Sequence, residues 1–188
     1  KVIDVNEGKI RLVTARDGEP LDKGMSLARK TEGHDNFEKA EVFIANGGQR
    51  GQQIDCLMPG RYRINTLMFD VSDEIDWVEI GSEEIGVVTT LEGKPLTDNS
   101  SIAAEEISLE EHSNFQNAWA FIKANGQKGL QIPVLRAGKY AINPWFAKVD
   151  KESITTVPIG YCAVVTSYVG EDYDFESDPF TPQKLQID

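Results

Sequence analysis

The side chains of this sequence that most often bind metals or act as nucleophiles are few and far apart. The chain has two histidines, His34 and His112, and two cysteines, Cys56 and Cys162. A single histidine cannot form a zinc site, because zinc needs several nitrogen or sulfur ligands close together. We therefore expect no metal site, and we expect each imidazole to pack or hydrogen bond locally just before a helix. A pH-sensing role is the weaker alternative.

Local motifs of the common catalytic sites are also absent from the sequence. It contains no G-x-S-x-G, H-E-x-x-H or D-x-D-x-D-G pattern. The glycine-rich segments GGQRGQQ (47–53) and NGQKGLQ (125–131) follow a predicted helix and precede a predicted strand, which is the reverse of a phosphate-binding loop. We predict a protein that is not an enzyme and has no cofactor. An enzyme with an unrecognised carboxylate site is kept as an alternative, because acidic residues are numerous.

Most of the sequence occurs twice. Residues 34–71 recur as 112–149, and residues 8–21 recur as 83–96, with a third start at 160–172. Recurrence at this spacing indicates a structural unit that is used more than once. We predict repeat unit one at residues 1–79, repeat unit two at 80–157, and the start of a third unit and tail at 158–188.

Each copy predicts several strands around one short helix. Apolar, β-branched runs at 10–13, 85–88 and 162–165 predict an opening strand for each unit. Alternating residues on either side of Pro59-Gly60 and of Ala137-Gly138 predict a hairpin, followed by one more strand. The predicted fold class is α+β and β-rich: two tandem repeat units of antiparallel strands with one short helix each, plus the opening strand of a third unit.

The helix is predicted from its ends and from an apolar stripe. Asp35 and Ser113 are N-cap residue types with Glu38 and Gln116 three positions further on, the pattern of a capping box. Asn-Gly pairs after residues 45 and 124 are expected to end each helix. The residues expected to face a core are Phe37, Ala40 and Ile44, which recur as Phe115, Ala118 and Ile122.

The overall charge excludes some partners. The 188-residue chain has a net charge of −12, which disfavours binding of nucleic acid or anionic lipid through a basic face. No stretch approaches the roughly 18 apolar residues of a transmembrane helix. Cys56 and Cys162 occupy positions that hold aliphatic residues in the other copies, so we expect small buried side chains, and a disulfide between them stays open.

Charged residues are divided between two kinds of segment. Residues 70–84 carry seven carboxylates and no cation, whereas the predicted hairpins carry cations. A solvated acidic face is the default interpretation. The sharper hypothesis is a head-to-tail contact, in which the hairpin of one unit or subunit meets the acidic segment of the next. The candidate interface residues are Arg50, Arg61, Arg63, Asp73, Glu74, Asp76, Lys128, Lys139, Trp145 and Phe146.

Turn residues that recur are expected to matter for the structure. We expect positive φ at Gly60 and Gly138. The full set is Gly51, Gly60, Tyr62, Asn65, Gly129, Gly138, Tyr140 and Asn143.

The repeated motifs resemble a known family. GGQRGQQ, L-x-P-G-x-Y-x-I-N and F-x-V, followed by VPIGYCAVVTSYVGED (157–172), are similar to the N-terminal region of bacterial flotillin-like proteins of the stomatin/prohibitin/flotillin (SPFH, band 7) family. Residues 155–170 resemble the strand that opens the SPFH domain. Residues 138–146 match the pattern PG-x-Y-x-INP-x-F, with Ala137 in place of the usual proline. The resemblance covers nearly the whole chain through Gly170.

This resemblance implies a non-enzymatic scaffold or assembly module of a membrane-associated SPFH-type oligomer that organises membrane microdomains. Its partners would be itself, as a homo-oligomer of the full-length protein, and membrane proteins, with membrane association through regions outside this chain. The sequence shows neither the membrane anchor nor the long coiled-coil helix of the full family pattern. The main alternative is a peptide- or protein-binding module that uses an exposed sheet edge or Trp145-Phe146 as an anchor.

Overall fold

The computed structural model describes residues 1–96 and 107–166, and the chain divides into two compact bodies, residues 1–154 and 155–188. All pairings between the strands of the first body are antiparallel, which confirms the β-rich α+β class. Its described elements are β1 (Val2–Val5), β2 (Lys9–Ala15), α1 (Ala40–Ala45), β3 (Gly51–Leu57), β4 (Gly60–Arg63), β5 (Phe69–Val71), β6 (Ile75–Asp76), β7 (Val78–Ile80), β8 (Glu84–Thr90), α2 (Ala118–Lys123), β9 (Gly129–Leu130), β10 (Gly138–Tyr140) and β11 (Ala147–Ser153).

The predicted opening strands at 10–13 and 85–88 are the central strands of two sheets. Strand β2 lies between β3 and β5 and also pairs with β6, while β8 lies between β9 and β11. Two further pairs, β1 with β4 and β7 with β10, form two-stranded sheets. Among the described elements, no strand before residue 77 is paired with a strand after it. We therefore call residues 1–76 the first half of this body and residues 77–154 the second half.

The segments predicted as hairpins are strands that pair with different neighbours. Strands β3 and β4 are separated by only two residues, yet β3 pairs with β2 and β4 pairs with β1. Strands β9 and β10 likewise pair with β8 and β7. The hairpin prediction was wrong because a tight turn between two alternating runs does not determine the partner of each run.

The two faces of β2 contribute to two hydrophobic clusters. Ile10 and Leu12 pack in a cluster with Trp145. Val13 and Ala15 belong to a different cluster, which contains the buried phenylalanines of residues 1–76. Strand alternation explains this division, because residues 10 and 12 lie on one face and residues 13 and 15 on the other.

Both helices begin later than predicted, and neither has the predicted capping box. Helix α1 follows Lys39, which makes no side-chain cap, and α2 follows Asn117, whose Oδ1 accepts a hydrogen bond from the Ala120 N–H at 3.0 Å. Asp35 and Ser113 lie in an earlier left-handed turn, with φ of 53° and 51°. A residue in that conformation does not lead directly into a right-handed helix.

Five of the six residues predicted to face a core do so. Phe37 and Phe115 are buried but precede the helices, and Ala40, Ala118 and Ile122 pack in or against the same clusters. Ile44 is the exception, since it is 45% exposed. The buried aromatic residues within the helices are Phe43 and Phe121.

The predicted opening strand of a third unit is not a strand in the structure. Residues 155–166 are exposed and contain no assigned strand, and the residues after 166 lie outside the described part of the chain. Cys162 is exposed, which corrects its predicted burial. Cys56 is half-buried and both thiols are free. Burial raises the pKa of the Cys56 thiol to about 12.

We expect Gly93→Ala to be more destabilising than Gly8→Ala. A Cβ at Gly93 would lie 2.3 Å from the carbonyl oxygen of Gly126, and its φ is 134°. Gly8 has a φ of 77°, but no atom of the described chain lies within 4 Å of the added carbon. Gly93→Ala should cost more than about 2 kcal/mol of unfolding free energy, and Gly8→Ala about 1 kcal/mol. Equal costs in urea denaturation would contradict the steric argument.

Candidate functional site

The two histidines each hold a turn of left-handed residues. Residues 35–37 and 113–115 all have φ between 51° and 67°. The Phe37 N–H donates a hydrogen bond of 2.7 Å to Nδ1 of His34, and the Phe115 N–H donates one of 2.9 Å to Nδ1 of His112. Each imidazole ring centroid also lies 4.4 Å from the ring centroid of that phenylalanine. These contacts stabilise a turn that points each phenylalanine into a core.

Glu38 and Gln116 connect these turns to the strands instead of capping the helices. An Oε1 of Glu38 accepts a hydrogen bond from the Arg63 N–H, and Oε1 of Gln116 accepts one from the Ala141 N–H at 2.9 Å. Gln116 also donates from Nε2 to the carbonyl oxygen of Ser113 at 3.0 Å. The side chains of Glu38 and Gln116, which suggested a capping box, therefore link each turn to the backbone at the end of β4 or just after β10.

A polar cavity of about 380 Å³ lies beside the His34 turn. Burial raises the pKa of Asp55 above its ordinary value, although Lys30 Nζ lies 3.7 Å from its Oδ2 and opposes the shift. Burial lowers the pKa of His34, which the negative charge of Asp55 partly opposes. The side chains that line the cavity include Lys30, Thr31, Glu32, His34, Lys39 and Asp55.

The second copy carries a different set of residues around its histidine. The residues that stand at the positions of Thr31, Lys39 and Asp55 are Leu109, Asn117 and Pro133. The buried Nε2 of His112 has no hydrogen-bond partner among the described residues, and burial lowers the pKa of this imidazole. The charged lining is therefore a property of the first copy.

The predicted turn tyrosines and glycines form the same arrangement twice. The hydroxyl groups of Tyr62 and Tyr140 each donate a hydrogen bond of 2.9 Å to the carbonyl oxygen four residues earlier. A Cβ on Gly60 or Gly138 would approach the tyrosine oxygen to 3.1 or 3.0 Å. Gly60 has a φ of 157°, whereas Gly138 is not among the residues with positive φ, so that prediction was wrong for Gly138. The nearby tyrosine ring leaves little space for a side chain, which explains why both positions are occupied by glycine.

The predicted asparagines also make equivalent turns, but only one of them joins the halves. Oδ1 of Asn65 and Oδ1 of Asn143 accept hydrogen bonds of 3.0 and 2.9 Å from the N–H two residues further on. Asn143 is buried and also donates from Nδ2 to the carbonyl oxygen of Ile54 in β3 at 3.0 Å. Gly51 and Gly129 begin β3 and β9 with φ of 108° and 122°.

Sequence reasoning missed two buried glutamines that stabilise the glycine-rich segments. Nε2 of Gln53 and Nε2 of Gln131 donate to the carbonyl oxygens two and four residues earlier, at 2.7 to 3.0 Å. Both side chains are buried. The signal that could have found them is the recurrence of glutamine at this position in both copies, since buried amides need partners.

Two of the predicted interface cations form ion pairs within the chain, with carboxylates that were not among the candidates. Arg61 in β4 lies 2.9 Å from Asp4 in β1, and Lys139 in β10 lies 3.4 Å from Glu79 in β7. The second of these ion pairs joins a basic strand to the acidic segment 70–84. Each pair joins the two strands of a two-stranded sheet, and the head-to-tail contact between units or subunits stays a prediction.

Two other carboxylates of the acidic segment bind the start of the first half. Glu74 accepts a hydrogen bond from the Asn6 N–H at 2.9 Å, which lowers the pKa of its carboxyl group, and it lies 3.8 Å from Arg11. Asp76 lies 2.6 Å from Lys9 Nζ. These groups are already paired and are poor candidates for contacts with another molecule.

The remaining interface candidates differ in exposure. Phe146 is fully buried and Trp145 is half-buried against the core, so this pair does not form an exposed anchor. Leu67, which stands at the position of Trp145 in the first copy, is 86% exposed. The candidates that are exposed and form no ion pair within the described residues are Arg50, Arg63, Asp73 and Lys128.

Comparisons with known proteins identify no relative. No family model, no curated protein and no solved structure matches the chain. No helix among the described residues is long and apolar enough to cross a membrane. Within the same residues, no three histidine, cysteine or acidic side chains are grouped so that they could hold a metal ion.

We expect the folded chain to lose stability as the pH falls below about 6.5. Each imidazole must be neutral at Nδ1 to accept its hydrogen bond, and burial lowers the pKa of both histidines. Their contribution is therefore complete above the unfolded pKa. It is lost as the pH falls through the lowered folded values, because the unfolded chain binds the protons first.

Urea denaturation at about pH 8 and at about pH 5.5 measures this dependence. A double variant, His34→Gln with His112→Gln, is the control, because it lacks both titrating rings. Its free energy of unfolding should differ less between the two pH values than that of the natural sequence. A difference as large as in the natural sequence would show that other groups cause the effect.

Proposed function

We propose that this chain is a non-enzymatic scaffold or assembly module of a membrane-associated SPFH-type oligomer, built from two tandem repeat units. The observation that carries the proposal is the recurrence of one set of contacts along the chain. The left-handed turn held by histidine, the tyrosine over the glycine and the ion pair across a two-stranded sheet each occur twice. Repeated units of this size can stack, because each presents the same shape to its neighbours.

The order of the elements supports the division into two units. Strands β1 to β5 have counterparts in β7 to β11, and α1 has its counterpart in α2. Both central strands have neighbours at the same relative positions, β3 and β5 beside β2, and β9 and β11 beside β8. Strands before residue 77 pair only with one another, and so do the described strands after it. This division lies close to the proposed boundary between the units at residue 79.

Unpaired charges support an assembly between copies. Arg50, Arg63 and Asp73 are exposed and form no ion pair within the described part of the chain. Opposite charges of this kind orient one molecule on another during association.

The membrane-related part of the proposal rests on the resemblance of the repeated motifs to SPFH proteins. It comprises membrane association through regions outside this chain, a homo-oligomer of the full-length protein, and membrane proteins as partners. Nucleic acid is not proposed as a partner, because the net charge of −12 opposes binding to phosphates.

Light scattering of the chain over a range of protein and salt concentrations tests the assembly. We expect species larger than the 20.9 kDa monomer, with a mass that decreases as salt is added. Salt should act in this way because it screens exposed charge pairs. A monomer under every condition would contradict an assembly role for these units.

Two charge variants separate a specific contact from an effect of net charge. Arg63 and Lys23 are both exposed and form no ion pair among the described residues, and a glutamate at either position changes the net charge equally. Arg63→Glu should lower the mass of the assembled species at low salt, whereas Lys23→Glu should not. Equal effects would attribute the assembly to net charge alone.

A further inference from the structure

The contact between the two halves of the chain is made by a loop of the second half and a strand surface of the first half. The loop after β10 supplies Trp145, which packs in one cluster with Ile10 and Leu12 of β2. Asn143 of the same loop donates hydrogen bonds to the carbonyl oxygens of Gln53 and Ile54 in β3, at 3.3 and 3.0 Å. We call the loop 141–145 the docking loop, and the surface formed by residues 10, 12, 54 and 56 the docking face.

The first copy has its own version of the docking loop, and it is uncovered. Leu67 stands at the position of Trp145 and is 86% exposed, and Asn65, at the position of Asn143, is exposed as well. The internal turn is nevertheless the same, because Oδ1 of Asn65 accepts the Leu67 N–H at 3.0 Å. The loop is therefore formed in the shape that docks in the other half, with an exposed leucine at its tip.

The second copy has its own version of the docking face, which is also only partly covered. Ile54 is 3% exposed beneath the second half, whereas Ile132, at the same position in the second copy, is 52% exposed. Ile85 and Val87, at the positions of Ile10 and Leu12, are half-buried. The two uncovered surfaces are thus the two halves of a contact that is already made once within the chain.

The charges beside the two uncovered surfaces are opposite. Arg63 stands at the position of Ala141 in the loop and is exposed. Across the sheet, Glu152 is directly opposite Ile85 and Asp150 is directly opposite Val87. Residues directly opposite on neighbouring strands share one face of the sheet. Lys148 lies on the same face and forms an ion pair with Asp150 at 2.7 Å. Glu152 forms no ion pair within the described residues, so it is the carboxylate that complements the arginine of the uncovered loop.

We propose that the loop 63–67 of one chain docks on the face 85–87 and 132 of a second copy of this chain, as loop 141–145 docks on the first half. This inference rests on the proposed assembly function and names the surfaces that carry it. Because the two surfaces differ, each added copy leaves one of each free. The contact is heterologous, and assembly continues head to tail.

Variants of the two surfaces test this contact by light scattering. Leu67→Asp and Ile132→Asp each place a carboxylate in one apolar surface, so each variant should stay monomeric at concentrations where the natural sequence assembles. Leu91→Asp is the matched control, since Leu91 is 48% exposed but belongs to neither surface. It makes the same change of size and charge and should leave the assembly unchanged.

A mixture of the two variants gives the sharpest result. Leu67→Asp keeps an intact face and Ile132→Asp keeps an intact loop, so a one-to-one mixture has a single complementary pair of surfaces. We expect this mixture to form a dimer and nothing larger. Growth of either variant alone, or a mixture that stays monomeric, would overturn the contact while assembly of the natural sequence still supported the proposed function. A natural sequence that stays monomeric would reject both.

Discussion

A hydrogen bond from a phenylalanine N–H to a neutral imidazole decides how each half of this protein packs. The three residues after each histidine are left-handed, and this conformation costs roughly 1–2 kcal/mol for each residue with a side chain. The bond to Nδ1 and the contact between the two tilted rings help to offset this cost and point Phe37 and Phe115 inward, where both are almost fully buried. Without the turn, the phenylalanine would leave the cluster that the helix and the central strand share.

Sequence patterns predicted the central strands and the helix ends, but not the helix beginnings. Apolar runs identified β2 and β8 because their burial imposes a pattern on the sequence. Gly47 and Asn125 have positive φ, as expected for residues that end a helix. The helix beginnings were wrong because aspartate or serine followed by glutamate or glutamine also suits a left-handed turn whose acidic or amide side chain reaches a strand. Local spacing alone does not separate these two structures.

The candidate surfaces were only partly predictable for a related reason. Charge spacing indicated that basic strands contact acidic segments, and Lys139 with Glu79 forms such a pair. The exposure of Trp145 could not be predicted, because the residues that cover it come from β2, more than a hundred positions earlier. The cavity beside His34 likewise combines residues 30–39 with Asp55. The sequence signals this cavity only through two positions, where the first copy has Thr31 and Asp55 and the second copy has Leu109 and Pro133.

Many contacts inside each half repeat, whereas the contact between the halves also depends on residues that differ between the copies. Trp145 and Ala141 cover β2, where the first copy has Leu67 and Arg63. The stability of a repeat protein is approximately the sum of a term for each unit and a term for each interface. In this chain the internal term uses mostly shared residues, whereas the interface term combines shared residues, such as Asn143 and Ile54, with the variable Trp145. Strand β2 connects the two terms, because one of its faces packs in the inner cluster and the other forms the surface that the second half covers.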